Sequence, residues 1–307
     1  MNFALSEQQD AFVDVAGEFA REQLAPNAAT WDEQKIFPVD TLRAAGQLGF
    51  CGMYCPADVG GTGLTRLDAA LILEELAQGC TSTAAYLSIH NMAAWMVATW
   101  GTEQVRRDWA GELAAGTKLA SYCLTEANAG SDAASLVTAA RRDGEDYVLN
   151  GAKAFISGAG ETDVLVVMAR TGADGPGGIS AFVVPGDAAG LTYGKNETKM
   201  GWNSQPTRAI SFENVRVPLH CLLGAEGDGF SIAMRGLEGG RINIAACSLG
   251  AAQVTLDMTQ RYLSERKQFG QVLADFQALQ FRLADMATEL VAACLLYTSD
   301  AADEVDR

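Results

Sequence analysis

Apolar and polar positions alternate with a helical period over the first third of the chain. An apolar stripe over residues 12–19 follows Ser6 and Gln9, which have the spacing of a capping box. We expect this helix to end before Pro26, because proline breaks a helix interior. Two further stripes at the same spacing predict a helix from residue 65 and another over residues 83–100.

The helix predicted over residues 83–100 is apolar on every side, which is typical of a core helix. His90 lies on it, and we interpret this histidine as a buried group with satisfied hydrogen bonds rather than as a catalyst. The glycines of residues 60–63 do not follow a strand pattern, so they are interpreted as a loop between helices and not as a nucleotide loop. Residues 1–118 are therefore predicted to form an N-terminal helical domain.

From about residue 119 the period of the apolar positions changes to two. Short apolar and β-branched runs predict strands at residues 119–124, 146–149, 164–169, 179–184 and 209–212. The pair Asn150 and Gly151 is the strongest signal for a hairpin turn. Closely spaced strands with no helix between them predict a small barrel or sandwich over residues 119–222, not a parallel dinucleotide-binding fold.

Helical spacing returns after the glycine-rich residues 224–229. One long helix is predicted over residues 230–263 and another over residues 275–296, with Leu279, Leu283, Met286, Leu290 and Cys294 on one face. Two such helices cannot close a core alone, so residues 223–296 are expected to be the first part of a bundle that further helices or a partner subunit complete. Residues 297–307 lose the apolar stripe and become acidic, and we expect an unrelated tail there.

The composition and charge of the chain exclude several classes of function. A chain of 307 residues that is 49% hydrophobic and 20% charged is an ordinary globular protein. Its net charge of −16 argues against nucleic-acid and anionic-membrane partners, and no apolar run is long enough to span a bilayer. No targeting peptide is visible, which favours a cytoplasmic location. Seven scattered cysteines are expected to be reduced thiols, and two histidines do not provide a histidine-rich metal site.

The stretch at residues 123–135, Cys-Leu-Thr-Glu-Ala-Asn-Ala-Gly-Ser-Asp-Ala-Ala-Ser, organises our interpretation of function. Small and polar residues after a strand let backbone N–H groups approach a flat, polar, partly anionic ligand, although by chemistry alone a plain surface turn is favoured. The order of residues resembles the acyl-CoA dehydrogenases, in which a Leu-Thr-Glu strand end leads into a Gly-Ser-Asp loop. Residues 153–160, 201–208, 239–245 and 266–270 resemble the same family, most closely its branched-chain members.

The resemblance runs from about residue 3 to residue 295 and implies an α+β multidomain fold. Its parts are an N-terminal α-helical domain, a middle β-barrel domain and a C-terminal α-helical bundle, incomplete here, with FAD held between the last two. It implies cofactor contacts at Tyr122, Leu124, Thr125, Ser131, Phe155, Ile156, Ser157, Arg266, Phe269 and Gln277. It implies substrate contacts at Ser131, Glu238, Gly239, Gly240 and Arg241. The alternative for Phe155 is a core aromatic.

The residues matching Arg266, Phe269 and Gln277 reach the FAD of a neighbouring subunit in this family, which implies a homotetramer built as a dimer of dimers. The implied reaction is α,β-desaturation of a short branched acyl-CoA, with isobutyryl-CoA preferred and electron-transferring flavoprotein as the electron acceptor. Most members carry the catalytic glutamate well past the position of residue 307, and a few carry it at the position of Gly240. Because glycine cannot be a base, the catalytic residue is unknown and we expect a truncated chain.

Three alternatives to this enzyme stay open from the sequence. The chain as written is a non-catalytic FAD- or CoA-binding fragment if it lacks a general base. It is a related flavin oxidase if O₂ takes the electrons. It does not fold stably if the apolar face of its last two helices stays uncovered.

Overall fold

The computed structural model describes residues 4–303, with side chains up to Leu296. The predicted tail is residues 297–307. Its side chains, and its residues 304–307 altogether, lie outside the described part of the chain. Eight α-helices lie within them: Glu7–Phe19 (α1), Ala25–Gln34 (α2), Val39–Gln47 (α3), Arg66–Trp100 (α4), Glu103–Val105 (α5), Gly111–Ala114 (α6), Gly229–Glu265 (α7) and Gln277–Asp303 (α8).

Ten strands are found in the same part of the chain: Ala120–Cys123 (β1), Ala139–Asp143 (β2), Asp146–Ser157 (β3), Val164–Arg170 (β4), Ile179–Pro185 (β5), Leu191–Tyr193 (β6), Thr207–Pro218 (β7), Leu222–Leu223 (β8), Lys267–Gln268 (β9) and Gln271–Val272 (β10). The chain divides into two compact units. The first unit contains Met1–Asn27, Thr65–Ala85 and Ile242–Arg307, and the second contains Ala28–Leu64 and Tyr86–Arg241.

The start of α1 is as predicted, but its end is not. The Gln9 N–H donates to Ser6 Oγ at 3.2 Å and the Ser6 N–H to Gln9 Oε1 at 3.0 Å, which confirms the capping box. The helix continues past Pro26, because the π-helical segment Ala20–Leu24 widens the turn and lets Ala25 N–H bond to the Ala20 carbonyl. Pro26 is therefore the second residue of α2.

Two predicted helices are joined into α4. The Thr65 hydroxyl caps its first turn by accepting from the Asp68 N–H at 3.2 Å. The join is Cys80, which has the extended backbone angles φ −156° and ψ 101° inside the helix. At the preceding Gly79, an added Cβ would lie 2.6 Å from the Ala20 carbonyl oxygen, so glycine permits this close approach within the first unit.

The glycines of residues 60–63 form a loop before α4, as predicted. A Cβ on Gly61 would lie 2.0 Å from the Cys55 carbonyl oxygen, so this glycine allows two backbone segments to touch. Six of the seven cysteines are buried and Cys294 is half-buried, as expected for mostly buried thiols, and their reduced state stays a prediction.

The middle of the chain forms an eight-stranded, mostly antiparallel sheet. Its order is β6-β7-β3-β2-β4-β5-β8, and β1 pairs with β4 in parallel. The hydrogen-bonded path runs from β6 to β8 within the described residues and does not return on itself. The prediction of a β-domain without a parallel dinucleotide-binding sheet is confirmed, and it missed the short strands β2, β6 and β8.

The predicted hairpin turn at Asn150 and Gly151 is wrong. β3 runs through both residues, with a register shift against β7 between Leu149 and Gly151. The Asn150 side chain donates to Asn214 Oδ1 at 3.2 Å and accepts from the Asn214 N–H at 2.9 Å, so it bridges a bulge between the two strands. The turn lies earlier, between the paired Asp143 and Asp146, where Gly144 has φ +64°.

β4 is buried on both faces, which explains its unbroken apolar sequence. Val164, Val166 and Met168 face one cluster, together with residues of α4 and α7 in the second unit, and we call this cluster the helix-side core. Leu165, Val167 and Ala169 face a second cluster that contains residues of β3, β5 and β7, which we call the strand-side core. The sheet thus separates two cores.

The two C-terminal helices form where the sequence predicts them, but α8 extends past Leu296 to Asp303, into the predicted tail. In the first unit they border a groove of about 540 Å³ lined mainly by apolar residues, among them Leu249, Leu256, Met286 and Leu290. This groove contains part of the apolar face that the sequence leaves uncovered. No helix within residues 4–303 combines the length and apolarity needed to cross a membrane.

Candidate active site

The end of β1 is held firmly by β3. The Ala154 N–H donates to the Thr125 carbonyl at 2.9 Å, and Lys153 Nζ donates to the Leu124 carbonyl at 3.0 Å. Leu124 is buried and Thr125 is half-buried. These bonds place the backbone of Leu124 and Thr125 beside residues 153–154, immediately before Phe155.

Phe155 is exposed through a distorted piece of β3. It has φ +59°, a left-handed conformation that is rare for a bulky side chain, and it lies in the register shift between Lys153 and Ile156. Its residue surface is 64% exposed, so the alternative interpretation as a core aromatic is wrong. Strained residues of this kind cluster at ligand sites, and the bulge here exposes a flat apolar side chain directly after Ala154, which binds the Thr125 carbonyl.

The neighbours of Phe155 point elsewhere. Ile156 is 2% exposed and packs in the strand-side core, so its side chain does not face a ligand on the Phe155 side. Ser157 is half-buried, and its carbonyl accepts from Ser121 Oγ at 2.6 Å. The register shift between Lys153 and Ile156 breaks the regular alternation of the strand, so that Phe155 is exposed although Lys153, two positions earlier, is buried.

Tyr122 brings a buried hydrogen-bond donor to the same area. It packs against the helix-side core, where Met92, Leu124 and Leu237 also lie. Its hydroxyl is buried and has no hydrogen-bond partner among the described residues. Burial, followed by the nearby Cys123, raises the pKa of Tyr122 well above its ordinary value, so the hydroxyl keeps its proton. A buried donor without a partner fits a polar ligand atom.

The loop after Thr125 is supported from the side by Arg170. Its Nη2 donates to the Ala134 carbonyl at 2.8 Å and its Nε to the Leu136 carbonyl at 3.1 Å. The guanidinium thus binds main-chain oxygens of this loop. Ser131 is exposed on the loop, and Asp132 lines a nearby cavity of about 420 Å³.

Glu126 and Lys153 form a buried ion pair that we did not single out from the sequence. Lys153 Nζ lies 2.7 Å from Glu126 Oε1, and the side chains are 0% and 6% exposed respectively. Burial acts to raise the pKa of Glu126, but the charge and hydrogen bond of Lys153 hold it below its usual value. A signal existed in the sequence: Lys153 shares the period-two face of Tyr147 and Leu149, where a lysine requires a buried partner.

The first half of α7 brings the predicted substrate segment close to α4 in the second unit. At Gly236, an added Cβ would lie 2.1 Å from Met96 Cε, so the helices touch there. At Gly240 such a Cβ would lie 3.7 Å from its nearest neighbour, Met92 Sδ, which is an ordinary contact. Glu238 and Arg241 are exposed and Gly239 is buried.

Arg266, Phe269 and Gln277 belong to the first unit and form a separate group. Arg266 follows α7, Phe269 is in the two-residue turn between β9 and β10, and Gln277 begins α8. Phe269 has φ +52° and is 92% exposed. This turn type favours asparagine or glycine, so a phenylalanine there points to a role for its exposed ring.

His90 supports the start of β1 and has no catalytic geometry. It is fully buried, one ring nitrogen lies 2.9 Å from the Leu113 carbonyl, and the other accepts from the Ala120 N–H at 3.1 Å. Both ring nitrogens are thus used by the backbone, which confirms the interpretation as a satisfied buried group. Because Ala120 must donate, Nδ1 carries no proton and the ring is neutral.

Acid is expected to destabilise the fold through this histidine. Burial lowers the pKa of His90 from 6.5 to about 4, and the hydrogen bond to Leu113 opposes that shift only in part. The unfolded chain therefore binds more protons between these values, and the free energy of unfolding falls by about 3 kcal/mol as the pH drops through that range. Urea unfolding at several pH values measures this slope. His90→Gln should flatten it, and an unchanged slope in that variant would contradict the assignment.

Comparison with known proteins agrees with this geometry. Residues 6–117 match the N-terminal domain of acyl-CoA dehydrogenases, residues 121–215 the middle domain and residues 227–307 the C-terminal domain. The chain belongs to the acyl-CoA dehydrogenase family. Its fold is that of the family, with a helical, a β and a second helical domain in this order, and it is an oxidoreductase of this class.

Three proteins illustrate how close this family relationship is. Mitochondrial isobutyryl-CoA dehydrogenase from Bos taurus is 55% identical over 295 residues, which cover 96% of this chain and 71% of the bovine protein. The structure of butyryl-CoA dehydrogenase from Megasphaera elsdenii is 37% identical with a TM-score of 0.94, covering 99% of this chain and 81% of the other. The structure of PigA with FAD and proline is 28% identical with a TM-score of 0.95, covering 100% and 81%.

Proposed function

We propose that this acyl-CoA dehydrogenase family member catalyses the FAD-dependent α,β-desaturation of a short branched acyl-CoA. Isobutyryl-CoA is the proposed substrate, because the bovine relative at 55% identity is named for it. Electron-transferring flavoprotein is the proposed electron acceptor, and the proposed location is the cytoplasm. The observation that carries the proposal is the exposed Phe155, which directly follows Ala154, the residue whose N–H holds the Thr125 carbonyl.

The residues of the second unit fit FAD. Phe155 offers a flat apolar face on which an aromatic ring system can stack. Thr125 is held at its own carbonyl and through both neighbours, so the N–H and hydroxyl that it offers to a ligand lie in a fixed position. The Tyr122 hydroxyl is a protonated, buried donor without a partner in the described chain. Together with Leu124 and Ser157, these residues are proposed to contact the isoalloxazine, whose acceptor-rich edge suits the hydroxyl donors of Tyr122 and Thr125.

FAD, when bound, supplies the two-electron acceptor that the desaturation requires. The chain's own residues bind and orient the substrate. Ser131 on the exposed loop is proposed to contact CoA, and the segment with Glu238, Gly239, Gly240 and Arg241 is proposed to contact the acyl-CoA. Arg241 is an exposed cation in a chain with a net charge of −16, so it provides local attraction for an anionic ligand.

The general base stays unassigned. The reaction requires a carboxylate near the α-carbon of the substrate, and the position that a few relatives use corresponds to Gly240, which has no side chain. We therefore assign no catalytic base among residues 1–307.

We also propose that a second subunit completes the FAD site. Arg266, Phe269 and Gln277 are the residues proposed to reach a neighbour's FAD, because a guanidinium binds pyrophosphate well and Phe269 displays an exposed ring. This arrangement corresponds to a homotetramer built as a dimer of dimers. Sedimentation analysis with FAD present measures that assembly.

Anaerobic addition of isobutyryl-CoA to the FAD-loaded protein is expected to bleach the visible flavin absorbance. Reduction removes that band only if the substrate has been oxidised, so bleaching tests binding and chemistry together. Butyryl-CoA and isovaleryl-CoA at equal concentration serve as controls for the acyl chain. If the band persists with every short acyl-CoA, the proposed desaturation is wrong.

A second candidate is an FAD- and CoA-binding protein without turnover, which the side-chain-free Gly240 favours. This protein would bind isobutyryl-CoA with a dissociation constant measurable by calorimetry but leave the flavin oxidised. Turnover with a dye acceptor would rule it out. Formation of one peroxide per product in air would instead indicate an oxidase.

A further inference from the structure

The buried pair Lys153 and Glu126 joins three segments of the second unit. Lys153 lies on β3, and its Nζ donates to Glu126 Oε1 at 2.7 Å and to the Leu124 carbonyl at the end of β1 at 3.0 Å. The Glu126 carboxylate also accepts from the main-chain N–H of Val137 at 2.7 Å and of Thr138 at 3.0 Å, just before β2. Two side chains therefore fix both ends of the loop that follows Thr125.

Stability alone does not explain this pair. Removing two charges from water is costly, and apolar residues of similar volume usually stabilise a buried site as well or better. The pair instead uses several directional bonds to main-chain atoms, which determine backbone position rather than only bringing surfaces together. Its contacts are to the strand end and the loop of the candidate active site.

Thr125 is the residue that these contacts enclose. The carbonyl before it accepts from Lys153, its own carbonyl accepts from the Ala154 N–H at 2.9 Å, and the side chain after it pairs with Lys153. The two donors are consecutive on β3, and Phe155 follows them directly. Consequently, a shift of Thr125 relative to Phe155 requires at least one of these bonds to break.

We propose that Lys153 and Glu126 are positioning residues that set the distance between the Thr125 backbone and the Phe155 ring for FAD binding. This inference rests on the proposed function, since it assumes that FAD occupies the site. The pair acts through Leu124, Thr125 and the loop, and it does not itself touch the cofactor. Because the two charges compensate each other, the pair affects FAD binding through the position of the backbone and not through its net charge.

The double variant Lys153→Met/Glu126→Gln tests the proposal. It removes both charges together, so neither is left buried without a partner, and the apo protein should unfold within about 4 °C of wild type. FAD titration should give a dissociation constant raised about tenfold, because the bonds that position the Thr125 backbone are lost. At saturating FAD, the visible circular dichroism of the bound flavin should also change, which a purely structural role would not cause.

Tyr147→Phe is the matched control. Tyr147 lies at the opposite end of β3, is 4% exposed and donates its hydroxyl hydrogen bond to Glu226. This variant also loses a side-chain hydrogen bond on the same strand, but it leaves Thr125 and Phe155 in place. Its FAD affinity and flavin spectrum should equal those of wild type.

The outcomes separate this inference from the proposed function. Wild-type FAD affinity in the double variant, or an equal loss in Tyr147→Phe, overturns the positioning role while the enzyme assignment stands. Failure of the wild-type protein to bind FAD overturns both. If the double variant does not fold, Lys153→Gln/Glu126→Gln, which also removes both charges together, is titrated instead, and unchanged affinity and dichroism in that variant also overturn the inference.

Discussion

Replacing Phe155 with glycine is expected to weaken FAD binding by about 5- to 150-fold without destabilising the apo protein. Stacking of one aromatic side chain on a nucleobase-like ring is worth about 1–3 kcal/mol, and this is the interaction that the variant removes. The left-handed backbone at φ +59° costs about 1–3 kcal/mol with a bulky residue, whereas glycine adopts it readily. FAD titration and denaturant unfolding of the apo form measure the two effects separately.

Asn214→Gly is the control for the backbone part of this prediction. Asn214 also has a positive φ, +52°, and lies on β7 at the bulge opposite Asn150, away from the proposed FAD contacts. It should leave FAD affinity unchanged. If Phe155→Gly bound FAD as tightly as wild type, the ring would have no part in cofactor binding. A large loss of stability in the apo form of Phe155→Gly would show that the backbone at Phe155 is not strained.

The second large effect is expected at Gly250, where alanine should destabilise the first unit by about 3 kcal/mol. An added Cβ would lie 2.0 Å from the Glu74 carbonyl oxygen and 3.0 Å from Ala77 Cβ. The nearest obstacle is backbone, which cannot rotate away as a flexible side chain can. The two helices α4 and α7 would therefore have to separate. Urea unfolding of the apo protein, fitted for the free energy of unfolding, measures this change.

Gly240→Ala is the matched control on the same helix. Its Cβ would lie 3.7 Å from Met92 Sδ, so no atom has to move. Alanine is about 1 kcal/mol more favourable than glycine in a helix interior, and this variant should be slightly more stable than wild type. Equal changes in the two variants would mean that the close helix approach at Gly250 has no energetic importance.

Local signals in the sequence were sufficient for the long helices α1, α4, α7 and α8 and for the strands β1, β3, β4, β5 and β7, but not for the shorter elements. The capping box at Ser6 and Gln9 and the change of period near residue 119 involve residues that are close along the chain. The same signals failed at Pro26, where a π-helical turn lets the helix continue through a residue that has no N–H, and at Asn150, where a partner on β7 replaced a turn. At Pro26 the deciding hydrogen bond is local but has an unusual spacing, whereas at Asn150 a contact with a distant strand decided the conformation.

The features of the candidate site also fall into two groups: those that the sequence predicts and those that only the structure reveals. Residue order alone assigned the family and named Thr125, Phe155 and Gly240 as site positions, and the comparisons confirm that family. The exposure of Phe155, the Lys153–Glu126 pair and the tolerance for a Cβ at Gly240 but not at Gly250 became visible only in three dimensions. The reason is physical: periodicity reports which face of an element is apolar, whereas burial, pairing and close approach depend on segments far apart in the chain.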